Sequence, residues 1–355
     1  MINLDTLNLD KVDPAGLYHD IANIGKNLYE GWESGYKLPV PSHYVKCKKI
    51  VFTGMGGSGL AARLVISLTK KSSRLPIQIV SDYTLPNYVD NETLLVAISY
   101  SGSTEETLET FIEGYKRGAR LIAFGTGGKL EELARKYQVP FFRHQQNICK
   151  QPRMTISRHL GAMLAILNKL GATEIDSRNI LKTVQILENT YTSSWGFNIP
   201  SENNLAKKIA KEAFDKIPVI WAAEHLDEVA HCYKSLFNEN AKTMSYYEPL
   251  PEMNHKSLAG SEFPKPLIRN IYHIFLASQF THPQNQKRVK ITAEFYKKRK
   301  YATEVVLFNE ADSPLTEIIL SLSLGAFVSF YLASLYGIDP TPIEAISDFK
   351  EKLNG

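Results

Sequence analysis

Residues 99–104, Ser-Tyr-Ser-Gly-Ser-Thr, place four aliphatic hydroxyls within six positions at the end of the apolar run LLVAISY (94–100). Directly after them comes STEETLETFIEGYKRG, in which Leu108, Phe111, Ile112 and Tyr115 recur at helical spacing. Such a turn leads from a strand into a helix. Its hydroxyl donors, the open N–H groups of the helix start and the positive end of the helix dipole all favour a phosphate dianion without calling for a lysine. The plainer alternative is that Ser103 or Thr104 caps the helix, but capping accounts for one hydroxyl and not four. A second turn, Gly54-Met55-Gly56-Gly57-Ser58-Gly59, lets backbone come close to a ligand because glycine has no side chain. Gly54, Gly56 and Gly59 satisfy the GxGxxG spacing of a dinucleotide fingerprint. No acid stands between Ser58 and Ser81 to meet a ribose hydroxyl, which argues against that cofactor. His225 and His231 are six apart, a spacing that does not put both on one helix face, so no metal site is expected.

The elements that hold these turns follow one grammar. KKIVFTGMGGSGLAARLVISL reads as strand, glycine turn and helix; PIQIVSDY (76–83), LLVAISY and VPFFRH read as strands; RLIAFGTGGKLEELARKY (120–137) repeats strand, turn and helix. Strands alternating with helices imply a parallel sheet with right-handed crossovers and helices on both faces. The pattern loosens around 170–200. A second series starts at KIPVIWAA (216–223) and continues through a helix near His225–Lys242, a loop YYEPLPEMNH, the apolar run NIYHIFLAS (270–278), the helical QKRVKITAEFYKK and the strand TEVVLF. The expected fold is α/β with two such domains. The segments are an N-terminal helical segment at 1–48, a first domain at 49–185, a second at 195–338 and a C-terminal segment at 339–355.

Composition narrows the function. The chain has 355 residues, enough for two cores, with 41 basic and 37 acidic residues and a net charge of +4, too balanced for a nucleic-acid surface. Cys47, Cys149 and Cys232 are widely spaced and odd in number, which fits a reducing cytoplasm and neither a disulfide framework nor a zinc knuckle. The N-terminus lacks the pattern of a signal peptide. Ile318–Tyr336 is uncharged over nearly the length of a membrane span, but its four serines and lone occurrence fit a central core helix better, and no membrane partner is expected.

Seven motifs occur in order: GMGGSG (54–59), SYSGSTEET (99–107), GGKL (127–130), PR (152–153), NENAK (238–242), EMNH (252–255) and DPTPIEAISDFK (339–350). Together they resemble the bifunctional phosphoglucose/phosphomannose isomerase family, built from two sugar isomerase (SIS) domains. The resemblance implies an enzyme that interconverts glucose 6-phosphate and mannose 6-phosphate with fructose 6-phosphate through a cis-enediol, without metal or cofactor. It implies that Ser99, Ser101 and Thr104 hold the phosphate, that Gly56, Gly57 and Ser58 line the sugar, and that Arg153 faces the reacting carbons. Glu239 becomes the base that moves a proton between carbons 1 and 2, with His255 and Lys350 assisting ring opening. It also implies a homodimer whose subunits share active sites, His255 serving the neighbour. The chemistry asks for such groups: isomerisation needs one base and a positive group near the developing oxyanion. A non-catalytic sugar-phosphate sensor, or an isomerase of another sugar or aminosugar phosphate, is the rival reading. The chain departs from the family pattern at Arg158 and His159, where relatives often carry a small, apolar stretch, and at Lys256 and Ser257; these changes are expected at the pocket rim.

Overall fold

The computed structural model describes residues 2–145, 148–149 and 151–354. Its residues separate by contact into two units, one comprising Asn23–Leu187 with Pro314–Ile319, the other the rest of the described chain.

In the first unit the apolar runs form five parallel strands: β1 (Lys49–Thr53), β2 (Ile77–Val80), β3 (Thr93–Ile98), β4 (Arg120–Gly125) and β5 (Phe141–Arg143), in the order β2-β1-β3-β4-β5. The innermost strand, β3, is buried along its whole length, as a strand covered on both faces should be. Alternate residues face opposite ways. Val51, Leu95, Ala97, Leu121 and Ala123 pack with Phe111, Leu130 and Leu133 from the helices Glu105–Lys116 and Gly128–Lys136. On the other face Phe124 meets the ring of His159, which belongs to the helix Ile156–Lys169. That helix lies backbone to backbone against Ile24–Lys37. A Cβ on Gly31 would stand 2.0 Å from the Arg158 carbonyl oxygen, and one on Gly161 would stand 2.1 Å from that of Leu28. The register pairs Thr53 with Ala97 and Ala97 with Ala123. The turns that follow β1, β3 and β4 therefore leave the same edge of the sheet, where ligands of open parallel sheets bind.

The second unit carries four parallel strands: β6 (Ile217–Ala223), β7 (Tyr246–Leu250), β8 (Ile271–Leu276) and β9 (Ala302–Val306), in the order β7-β6-β8-β9. Trp221, Phe275, Val289, Ala293 and Tyr296 form the core between this sheet and the helix Pro283–Lys298. β7 is built from part of YYEPLPEMNH, read from sequence as a loop. Its Pro249 is tolerated because β7 is an edge strand, where a missing N–H breaks no ladder on the outer side. The loosened stretch 170–200 likewise contains a regular helix, Ser177–Thr190, which buries Ile180, Thr183 and Leu187. The long apolar helix Pro314–Tyr336 is a core helix, its hydrophobic window wholly buried.

Candidate active site

The loop 99–104 is closed by its own first and last residues. Ser99 is completely buried; its hydroxyl donates to Thr104 Oγ1 at 2.9 Å and accepts from the Thr104 N–H at 3.3 Å. Ser101 and Ser103 are exposed, while the half-buried Thr104 is held by Ser99, which acts as the clasp. Gly102 has φ +71°, and a Cβ there would stand 1.9 Å from the Gly127 carbonyl oxygen. The Gly102 carbonyl in turn accepts from the Leu130 N–H at 2.9 Å, so the GTGG turn packs directly under the loop. Thr104 occupies the N-cap position of Glu105–Lys116 with extended backbone, yet among the described residues its side chain makes no capping bond to that helix. Capping therefore does not explain the hydroxyls. The N–H groups of the first helical turn have no intrahelical acceptors and carry the positive end of the dipole.

The glycine turn joins this loop through Ser58, whose hydroxyl accepts from the Tyr100 N–H at 3.1 Å. Gly56 has φ +50° and open space where a side chain would project, which leaves its backbone accessible. Gly57 does the opposite: a Cβ there would stand 2.9 Å from the backbone nitrogen of Arg153. The structure thus brings Gly57 and Arg153 together on the side of the sheet edge that carries the loop. Arg153 sits in the short 3-10 turn Pro152–Met154, is 1% exposed, and donates from Nη1 to Gln151 Oε1 at 3.1 Å. Arg158 and His159 are not an open rim. The Arg158 guanidinium pairs with Glu30 at 2.7 Å, and His159 is fully enclosed among Phe124, Phe142 and His144. Burial, followed by the charge of Arg158, holds the His144 imidazole down at about 4. Burial and the neighbouring His144 and Arg158 hold that of His159 at about 3. Sequence reasoning passed over Tyr100. Beyond its N–H bond, its carbonyl accepts from the Thr126 N–H and hydroxyl, and its phenol donates to the Cys149 carbonyl at 2.7 Å. The one signal was its position inside the hydroxyl cluster.

In the second unit, Glu239 is half-buried in the last turn of the helix Asp227–Asn240. An acid there opposes the helix dipole, so the position is not chosen for helix stability. The rest of NENAK holds that turn in place. Asn240 donates to Ser329 Oγ at 2.9 Å, and Asn238 Oδ1 accepts from Ser245 at 2.8 Å. Lys242, at φ +51°, sends its ammonium to the carbonyls of Asn240, Asp339 and Pro340. The start of the C-terminal segment is thereby pinned beside the end of the Glu239 helix. Lys350 lies exposed on the terminal helix Glu344–Asn354, and His255 is exposed at the end of the 3-10 turn Glu252–His255. Lys256 pairs with Glu252 at 3.0 Å. Among the described residues no group of three His, Cys, Asp or Glu side chains is placed to hold a metal ion.

Residues 43–142 match the SIS domain, and residues 202–353 match the bacterial phospho-glucose isomerase C-terminal SIS domain. Over 338 residues the chain is 31% identical to the bifunctional phosphoglucose/phosphomannose isomerase of Caldicellulosiruptor bescii, covering 95% of this chain and 98% of the relative. It is 33% identical over 309 residues to the protein of the same name from Aquifex aeolicus, covering 86% of this chain and 90% of that one. A solved structure of a hypothetical protein from Thermus thermophilus shares the fold, with a TM-score of 0.76 at 15% identity, covering 98% of this chain and 93% of the other. With relatives of this identity aligned over nearly its whole length, the chain is a member of the bifunctional phosphoglucose/phosphomannose isomerase family.

Proposed function

We propose that this protein interconverts glucose 6-phosphate and mannose 6-phosphate with fructose 6-phosphate. The observation that carries the reading is the loop 99–104, whose exposed Ser101 and Ser103 precede a helix N-terminus that the Thr104 side chain does not cap. Ser101 and Thr104 bind the phosphate directly, and Ser99 holds Thr104 in register. Gly56, Gly57 and Ser58 line the sugar. Phosphate anchoring supplies remote binding energy that positions carbons 1 and 2, so loss of the phosphate lowers turnover as well as affinity.

Glu239 removes the proton from one carbon and returns it to the other, and Arg153 stabilises the oxyanion of the cis-enediol. His255 and Lys350 move the protons that open the pyranose ring. The exposure of both supports a site completed by a second subunit, with His255 serving the neighbour. The segment 339–355 returns toward the site, which the clamp of Lys242 on Asp339 and Pro340 supports. The enzyme works in the cytoplasm as a homodimer.

The test is a coupled assay offering each aldose phosphate separately, with chelator present, to wild type and Glu239→Gln. Wild type is expected to form fructose 6-phosphate from both, and Glu239→Gln to lose about 10³-fold in kcat, within the usual range for a general base. Phosphate binding without turnover in wild type would instead identify a sensor.

A further inference from the structure

We propose that Tyr100 is a positioning residue that couples the phosphate loop to the placement of the Arg153 guanidinium; this rests on the role given to Arg153 above. Tyr100 sits between the two loop serines, and its backbone is fully used in holding that loop. Its N–H goes to Ser58, and its carbonyl receives the N–H and hydroxyl of Thr126 at 2.9 and 2.7 Å. The half-buried ring leans on His144 with centroids 5.6 Å apart. Its hydroxyl then reaches 49 positions along the chain to the Cys149 carbonyl at 2.7 Å.

Cys149 is the upstream anchor of the segment that delivers Arg153. It is wholly buried, and its sulfur accepts from Asn27 Nδ2 at 3.3 Å. Four residues on, the Arg153 backbone is pressed against Gly57 closely enough that no side chain fits between them. The guanidinium is steadied by Gln151, which lies between the two anchors. Cys149 is thus held by the tyrosine of the phosphate loop and Arg153 by the glycine turn. Tyr100 contributes no atom to either the phosphate or the reacting carbons in this scheme. What it sets is where a buried cation stands relative to a loop that fixes the other end of the substrate. Electrostatic stabilisation of a developing oxyanion depends on donors held in place before the reaction. A displacement of about 1 Å can cost on the order of 100-fold in rate.

Tyr100→Phe keeps the ring against His144 and every backbone bond while removing the tie to Cys149. It is expected to lower kcat about tenfold for both aldose phosphates, with KM, inhibition by inorganic phosphate and the thermal midpoint close to wild type. Arg153→Lys should lower kcat by more, and the double variant Tyr100→Phe/Arg153→Lys should be no slower than Arg153→Lys alone, because the tie acts only through the arginine. A wild-type kcat in Tyr100→Phe, a change confined to KM, or independent multiplication of the two losses would overturn the coupling. If Arg153→Lys alone leaves kcat unchanged, the role of Arg153 fails first and the coupling falls with it, a result distinguishable from the others.

Discussion

The turns after β3 and β8 occupy corresponding places in their sheets, each following the third strand in the sheet order and each leading into a helix, yet they are built in opposite ways. After β3 the cap position belongs to Thr104, which leaves the helix start open and hydroxyls beside it. After β8 the chain reads Ala277-Ser278-Gln279-Phe280-Thr281-His282, and the helix Pro283–Lys298 is capped by His282 Nδ1, which accepts from the Gln284 N–H at 3.1 Å. Glu224, held at φ +57° just beyond β6, adds a carboxylate: its Oε1 accepts from the His282 N–H at 2.6 Å and from Asn285 Nδ2 at 2.9 Å. The second helix start is closed by a side-chain cap and a carboxylate from the turn after β6, whereas the first carries Glu105 and Glu106 in its opening turn and receives no bond from its cap side chain. Topology makes two helix starts of the same kind, and a handful of capping side chains makes them differ; the proposed phosphate site is the one without a side-chain cap from Thr104.

The largest expected effect follows from what the open cradle needs. Gly102→Ala forces a Cβ into the Gly127 carbonyl at a positive φ, and should destabilise the first unit by about 3 kcal/mol and raise KM on the order of 100-fold. Thermal denaturation and initial rates would show both; a normal KM would mean that the loop tolerates a backbone shift and that its close packing on GTGG is incidental.

Acid should also separate the two regions. Folding lowers the proton affinity of His144 and His159, which hold near 4 and 3, and of His273 in the second unit, which burial keeps at about 4. Because the unfolded imidazoles titrate near 6.5, this stability is intact above that value and is lost as pH falls toward the folded values. Each group should cost about 2 kcal/mol between pH 7 and pH 5. The first unit holds an adjacent pair, so His159→Phe should flatten the pH dependence of the urea midpoint. An unchanged slope in that variant would place the acid sensitivity elsewhere.

The smallest effects compare the cradles directly. Thr104→Val should raise KM about tenfold through a lost hydrogen bond to a charged group, while Glu224→Gln should leave KM at the wild-type value. Steady-state kinetics on fructose 6-phosphate measures both. A raised KM in Glu224→Gln with a normal one in Thr104→Val would invert the assignment of the two turns.

Much of this was legible in the residues themselves. Apolar runs of strand length, glycine turns and helical spacing specify parallel α/β units, because burial on two faces and period-3.6 stripes leave little choice of element. The hydroxyl cluster raised the expectation of an anion site for equally local reasons. Edge strand β7 and the helix Ser177–Thr190 were missed: the first carries a proline that only its edge position excuses, and the second, with Ile180, Val184 and Leu187 at helical spacing, lies between the irregular stretches GATEIDSRN and YTSSWGFNIPSENN that read as a domain boundary.

What tertiary structure alone decided is which of these polar groups face inward. Spacing could not show that Ser99 is a clasp, that Thr104 leaves its helix uncapped, or that Arg158 and His159 lie in the interior. Nor could it show that a tyrosine within the loop reaches the chain that delivers Arg153. Residue type and spacing set which elements form and which chemistry is available, since those depend on neighbours in the chain. Partners 49 positions away are chosen by how the elements pack, and it is those partners that turn a list of hydroxyls and charges into an oriented site.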